Sequence, residues 1–361
     1  MEFETKVISA DRQEEAGTTL GASIIRNGGL VAFPTETVYG LGANGLDGEA
    51  VNRIFEAKGR PNDNPLILHI SKKSELKKLW AHIPERAIPL IETFWPGPLT
   101  LIFHKSDIVP YEVTAGLETV AVRMPSDKTA RLLISKSGVP IAAPSANRSG
   151  KPSPTTAEHV LEDMNGRIPL ILDGGACKYG VESTVLSLIG EPTILRPGAV
   201  TREMLEAVIG PVKLAPSILK PLGEREVAAS PGMKYKHYAP DAQVIVVDGT
   251  PENTARCIIS LYYEKIEQGL SVEVLSTRQT RSRYRGIPNT MIGDRDNPES
   301  MCANLFRLLR EVGADCDVIL AEGIGTAEEG LAYMNRLLRA AGFERIDSDD
   351  YCENIEMTKQ I

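Results

Sequence analysis

No run of ~18 uninterrupted apolar residues, the length a membrane span needs, occurs in this 361-residue chain, so no transmembrane helix is expected. The opening, MEFETKVISADRQEEA, carries acids early and has no apolar centre of signal-peptide type, which argues against export. Cysteine is scarce. Five residues (Cys177, Cys257, Cys302, Cys316, Cys352), odd in number and without C-x-x-C spacing, argue against a disulfide framework or a cysteine-based zinc site. The five histidines (His69, His82, His104, His159, His237) show no paired ligand spacing, and no nucleophile–base pair is legible. Basic excess is missing too. The formal charge of −8 divides into 23 basic and 25 acidic residues over 1–213 and 17 and 23 over 214–361. Gripping a nucleic-acid backbone takes a strongly basic face, so stable RNA or DNA binding is not expected. These absences point to a soluble protein of the reducing cytoplasm that binds neither membrane nor bulk nucleic acid.

What is present is apolar content of 42% over a length that exceeds one ordinary core, so two domains are expected. Period and breakers read as helix over 10–27, strand 30–33, helix 49–57 and strand 66–70. Helices are then expected over 74–81, 85–94, 130–137 and 157–164, and strands over 99–103, 119–123, 140–143 and 170–173. Runs 183–188 and 193–196 form a hairpin, so this sheet is expected to be mixed. A stretch rich in Pro, Gly and Ser follows, and after it strands and helices alternate as in a doubly wound sheet. The expected domains are 1–213, a linker over 214–240, a second α/β domain over 241–347 and a frayed acidic tail over 348–361.

Ligands in open α/β sheets settle beyond the carboxyl ends of strands, and the strand exits of the first domain are alike in chemistry. They read Pro34-Thr35-Glu36-Thr37, Arg123-Met124-Pro125, Pro144-Ser145-Ala146-Asn147 and Arg196-Pro197-Gly198. The turn KGRPNDN over 58–64 adds Lys58, Arg60, Asn62 and Asn64. Alone, a basic turn is usually a solvated loop, and His69, Ser145 or Ser183 alone would be ordinary packing or turn residues. Together they place four cations and several neutral donors on one rim of a net-acidic domain, which suits a small polyanion such as a nucleoside triphosphate.

K-x-R at Lys58–Arg60, S-x-N at Ser145–Asn147, the opening FPTETVYGLG at 33–42 and SPGMKYKHYAP at 230–240 jointly resemble the YrdC-type threonylcarbamoyl-AMP synthases, in the long form with a Rossmann-like C-terminal domain. The resemblance covers nearly the whole chain. It implies a YrdC-like twisted mixed sheet with helices, joined by a long linker to a smaller α/β domain. It implies an enzyme that makes threonylcarbamoyl-adenylate from L-threonine, bicarbonate and ATP, releasing pyrophosphate. The product would pass to the transferase machinery that modifies the adenosine next to the anticodon in tRNA. For this sequence the resemblance implies that Thr35, His69, Arg123, Ala143 (through its backbone) and Ser183 contact L-threonine. Lys58, Asn62, Thr119, Ser145, Ser153, Arg196 and Tyr235 would contact ATP, with Arg60 and Asn147 in support.

Arg123 suits a carboxylate because a guanidinium binds it through two parallel donors. With no nucleophile to assign, the expected chemistry is in-line attack of a carbamate oxygen on the α-phosphorus, helped by positioning and charge. Magnesium would arrive on the triphosphate with few protein ligands. Carbamates and acyl-phosphate anhydrides decompose in water, so residues 230–240 are expected to act as a lid hinged at Gly232. A competing reading, of a different class, is a non-catalytic RNA-binding or assembly module using the same cleft; binding without turnover would distinguish it.

Overall fold

The computed structural model describes residues 4–220, 238–327 and 330–351. Contacts divide the chain into two units, Met1–Ser149 with Ser153–Tyr235, and Lys236–Ile361 with Gly150–Pro152. The first contains β1 (Lys6–Ser9), β2 (Val31–Phe33), β3 (Gly40–Asn44), β4 (Ile67–His69), β5 (Leu99–His104), β6 (Thr119–Arg123), β7 (Ile141–Ala143), β8 (Leu170–Asp173), β9 (Thr184–Ser187), β10 (Thr193–Arg196) and β11 (Lys213–Leu214). They form one sheet in the order β1-β8-β2-β3-β7-β4-β6-β5-β9-β10-β11. Pairings β2/β3, β3/β7, β4/β7, β5/β6 and β9/β10 are antiparallel and the rest parallel, so the sheet is mixed as expected.

Helices Ala10–Arg26 and Lys128–Ser137 bury Ala22, Ile25, Leu133 and Ile134 against Val31, Phe33, Ile141, Leu170 and Leu172 of the sheet. Each fully buried aliphatic side chain of this kind stabilises by about 1.5–3 kcal/mol, so this layer holds β2, β7 and β8 firmly. Strand β3 was not among the expected elements. Its glycines serve close packing. A Cβ on Gly42 would lie 2.7 Å from Ile141 Cγ2 and 2.8 Å from Phe33 Cε1, so only a residue without a side chain passes there. Edge strands β1 and β11 and the helices Tyr111–Thr114 and Arg202–Ile209 also escaped the sequence reading; all but the last are four residues or shorter. The helix expected over 74–81 shrinks to a 3-10 turn, Lys73–Glu75, and one helical turn, Leu76–Leu79.

The second unit holds β12 (Gln243–Asp248), β13 (Val272–Thr277), β14 (Asn289–Gly293), β15 (Val318–Glu322) and β16 (Arg345–Asp347), in the order β14-β13-β15-β12-β16. Every pairing in it is parallel, and helices Pro251–Glu267, Pro298–Glu311 and Gly330–Ala340 connect the strands. At the carboxyl edge the fully buried Glu322 accepts from Thr277, Thr280, Tyr284 and Arg295, so its charge is satisfied within the unit.

Candidate functional site

Helix Gly48–Lys58 delivers the first functional group. Asp47 caps its start, accepting from the backbone of Glu49 and Ala50. Gly59, at φ +64°, stops it in the left-handed conformation, with Gly59 N–H donating to Glu56 O and Arg60 N–H to Phe55 O. The K-G-R spelling thus puts Lys58 on the last helical turn. Its side chain runs inward, 4% exposed, and Nζ donates to the carbonyls of Ser145 (2.5 Å) and Asn147 (2.6 Å). Ser145 Oγ donates to Asn147 Oδ1 at 2.5 Å, and Ser145 bridges Gly40 on β3. K-x-R and S-x-N, 87 residues apart, therefore form one cluster through Lys58.

The second cluster lies along one row of the sheet. Register pairs His69 with Arg123, Arg123 with Thr100, Thr100 with Val185 and Val185 with Arg196, so these side chains share a face across five strands, roughly 20 Å at the usual strand spacing. Arg123 is held on every edge: Nε donates to Gly97 O (3.3 Å), Nη1 to Thr37 Oγ1 (2.9 Å), and Nη2 stands 2.7 Å from Glu36 Oε1. Thr35 Oγ1 donates to Val38 O and accepts from the backbone of Thr37 and Val38, which shapes the turn that carries Glu36. Ser183 Oγ meets Thr100 Oγ1 at 2.8 Å and accepts from Arg196 Nη2 at 3.2 Å, while Arg196 Nε donates to the Ser183 carbonyl. Ser153 Oγ donates to Glu182 Oε1, next to Ser183. The segment from Thr35 to Leu41 joins the two clusters, since Ala146 N–H donates to Tyr39 O and Leu41 N–H to Pro144 O.

The other expected residues fall less centrally. Ala143 ends β7, paired with Ile67. Thr119 begins β6, opposite His104 and four residues from Arg123, ~13 Å along the strand, on the side where the KGRPNDN turn leads into β4. Asn62 is exposed, its amide donating to Asn52 Oδ1. Arg60 lies over the Phe55 ring at 5.9 Å. Gly59 turns the chain between Lys58 and Arg60, and Lys58 is buried on carbonyls. Arg123 stands against Glu36, so a carboxylate arriving there would meet that pair. Tyr235, Gly232 and most of the expected lid lie outside the described residues; Tyr238 is buried in the second unit, its ring 4.8 Å from that of Phe306.

Sequence reading passed over Glu36, Thr37 and Thr100 as functional groups. The signal for Thr100 was a hydroxyl inside the apolar run Leu99–His104. The charges are tuned by burial. His69 is pushed down to about 3, first by burial and then by Arg123, so its ring is neutral at pH 7. Nδ1–H then donates to Ile67 O at 3.1 Å. Burial raises Glu36, but the Arg123 charge and hydrogen bonds outweigh it and hold the carboxyl below its ordinary range. Asp127, burial-shifted up to about 6, caps helix Lys128–Ser137 by accepting from Ala130 N–H.

Buried hydroxyls, guanidinium groups and an ammonium gathered at strand ends of a mixed α/β sheet, with an all-parallel α/β unit following, define a two-unit enzyme for a small, charged substrate. Residues 23–198 match the family described as "Telomere recombination", and residues 200–342 match the family described as "Threonylcarbamoyl-AMP synthase, C-terminal domain". A relative from Pyrococcus abyssi named threonylcarbamoyl-AMP synthase is 50% identical over 339 residues, 93% of this chain and 97% of that protein. One of the same name from Bacillus subtilis is 49% identical over 89% of this chain and 92% of its own length. The solved structure of Pyrococcus abyssi Sua5 complexed with L-threonine is similar at a TM-score of 0.88 and 48% identity, covering 95% of this chain and 99% of that one. The chain belongs to the threonylcarbamoyl-AMP synthase family.

Proposed function

We propose that this chain joins L-threonine, bicarbonate or CO2, and ATP into L-threonylcarbamoyl-adenylate with release of pyrophosphate. The carrying observation is the continuity of the two clusters: a buried ammonium on the S-x-N turn and a row of Arg123, Ser183 and Arg196 on one sheet face, joined through residues 35–41. The first cluster and Arg196 would meet the nucleotide, and Thr35, His69, Arg123, Ala143 and Ser183 the amino acid. Asn62, Thr119, Ser153 and Tyr235 complete the ATP assignment. The carbamate of threonine then attacks the α-phosphorus in line, and cations fixed beforehand hold the charge that develops. Neutral His69 adds no charge of its own and offers Nε2 as an acceptor for a hydroxyl.

Among the described residues no three His, Cys, Asp or Glu side chains converge as a resident metal site requires. Magnesium would arrive with the incoming triphosphate and neutralise phosphate charge there. Among the described residues no helix is long and apolar enough to cross a membrane, and the four described cysteines stand outside any disulfide, as a reducing compartment would keep them. The product, a reactive mixed anhydride, fits consumption by a tRNA threonylcarbamoyl-transferase. Incubation with radiolabelled bicarbonate, ATP and each amino acid in turn, followed by separation of nucleotides, tests this reading. Label should enter a new adenylate with threonine and not with alanine; label entering none overturns it.

A further inference from the structure

The Glu36–Arg123 pair has a use beyond holding the turn. Both side chains are buried, at 7% and 4% exposure, and Oε1 lies 2.7 Å from Nη2. The Glu36 carboxylate faces Nη2 as a close charged contact and is also steadied by the backbone N–H groups of Glu36 and Ser126. The remaining edges of the guanidinium are fixed on Gly97 O and Thr37 Oγ1. Among the described residues Glu36 is thus the anion that an incoming carboxylate must share or displace on Arg123.

An α-amino acid arrives as a zwitterion, with a carboxylate and an ammonium on adjacent atoms. A guanidinium and a carboxylate in contact are the complementary arrangement. The ammonium must also lose a proton before its nitrogen can bond to carbon, and Glu36 stands beside the group expected to receive the carboxylate. Resting on the threonine reading above, we propose that Glu36 is a substrate-gated base: the threonine carboxylate engages Arg123, and the Glu36 carboxylate so released takes a proton from the threonine ammonium.

One N–H bond breaks and one O–H bond forms on Glu36, leaving the amine lone pair free. The amine then bonds to the carbon of bicarbonate; the carbon–oxygen bond to its hydroxyl breaks, and that hydroxide leaves as water with one of the two remaining amine protons. The product is the N-carboxylate of threonine, which carries the negative charge brought by bicarbonate beside that of the α-carboxylate. Gating follows from opposed influences. Burial raises the basicity of Glu36 while Arg123 suppresses it, and a substrate carboxylate on Arg123 neutralises the suppressing charge. The other titratable groups around Glu36 are His69, neutral as described, Asp127 and Cys177, whose thiol burial pushes up. None of these supplies a competing cation.

The test compares wild type, Glu36→Gln and Glu36→Asp in threonine-dependent pyrophosphate release from pH 7 to 9. A positioned base contributes about 10²–10⁴-fold, so Glu36→Gln should lose that much kcat at pH 7 with threonine KM within threefold. Raising the pH frees the amine without help. The deficit should therefore shrink by about tenfold per pH unit, and Glu36→Asp should restore part of the rate at pH 7. A deficit equal at pH 7 and 9, or wild-type kcat in Glu36→Gln, overturns the proposal by giving Glu36 a structural role or none. If Glu36→Gln fails to fold, Glu36→Asp carries the comparison, with reduced kcat at unchanged KM supporting the base and unchanged kcat overturning it. Failure of the threonine reading itself is distinguishable, because it shows in wild type as pyrophosphate release indifferent to threonine.

Discussion

Replacing Arg123 by Met tests the buried pair at the centre of the site. At 2.7 Å the opposite charges attract by about 6 kcal/mol at an effective dielectric constant of 20, against the cost of burying both. Removing the guanidinium leaves Glu36 charged, buried and unpaired, and also strips a donor from Thr37 Oγ1 and from Gly97 O. Breaking one side of such a pair costs about 3–5 kcal/mol. At about 2–4 °C per kcal/mol for a unit of this size, the transition should fall by about 6–20 °C. Arg123→Met with Glu36→Gln removes the orphan charge, so the double variant should recover at least half of the loss while staying inactive. Calorimetry of the four proteins at pH 7 gives the cycle. A single-variant loss below about 1 kcal/mol, or a double variant no more stable than Arg123→Met, would show that the charges do not depend on each other.

Lys58→Met should abolish pyrophosphate release and cost about 2–4 kcal/mol, since two carbonyls lose charged donors; a denaturant midpoint and a turnover assay check both. Gly59→Ala meets no neighbouring atom, so its cost should be backbone strain alone, about 1 kcal/mol, measured by the same midpoint. His69 predicts acid sensitivity. Its folded value near 3 lies below the ordinary 6.5, so the stability it lends is whole above pH 6.5 and drains as pH falls toward 3. By pH 5 this amounts to about 2 kcal/mol, and the pH 7-to-5 drop in melting temperature should be smaller in His69→Gln. An equal drop in both proteins would remove His69 as the cause.

Much of this was legible because physical periodicity is strong where cores are thick. Strands β2, β5, β6 and β8 and helix Gly48–Lys58 announce themselves by apolar pattern and caps. Strand β3 did not, because glycines demanded by Phe33 and Ile141 resemble turn residues. Short edge strands carry too few residues for a pattern. Motif residues such as Lys58, Ser145 and Arg123 were visible as types and spacings. Their partners were not: that Lys58 would spend its charge on two carbonyls, or that Glu36 would occupy Arg123, depends on register between strands distant in sequence. Thr100 shows the same limit, since a threonine in a β-run is ordinary until Ser183 is placed beside it.

The most direct measurement is the structure of the full chain with L-threonine and a non-hydrolysable ATP analogue bound together. The account predicts the threonine carboxylate on Arg123, its ammonium beside Glu36, its hydroxyl within reach of His69, and the phosphates between the Lys58–Ser145–Asn147 turn and Arg196. Threonine or nucleotide seated away from these residues, with the Glu36–Arg123 contact unchanged, would contradict it.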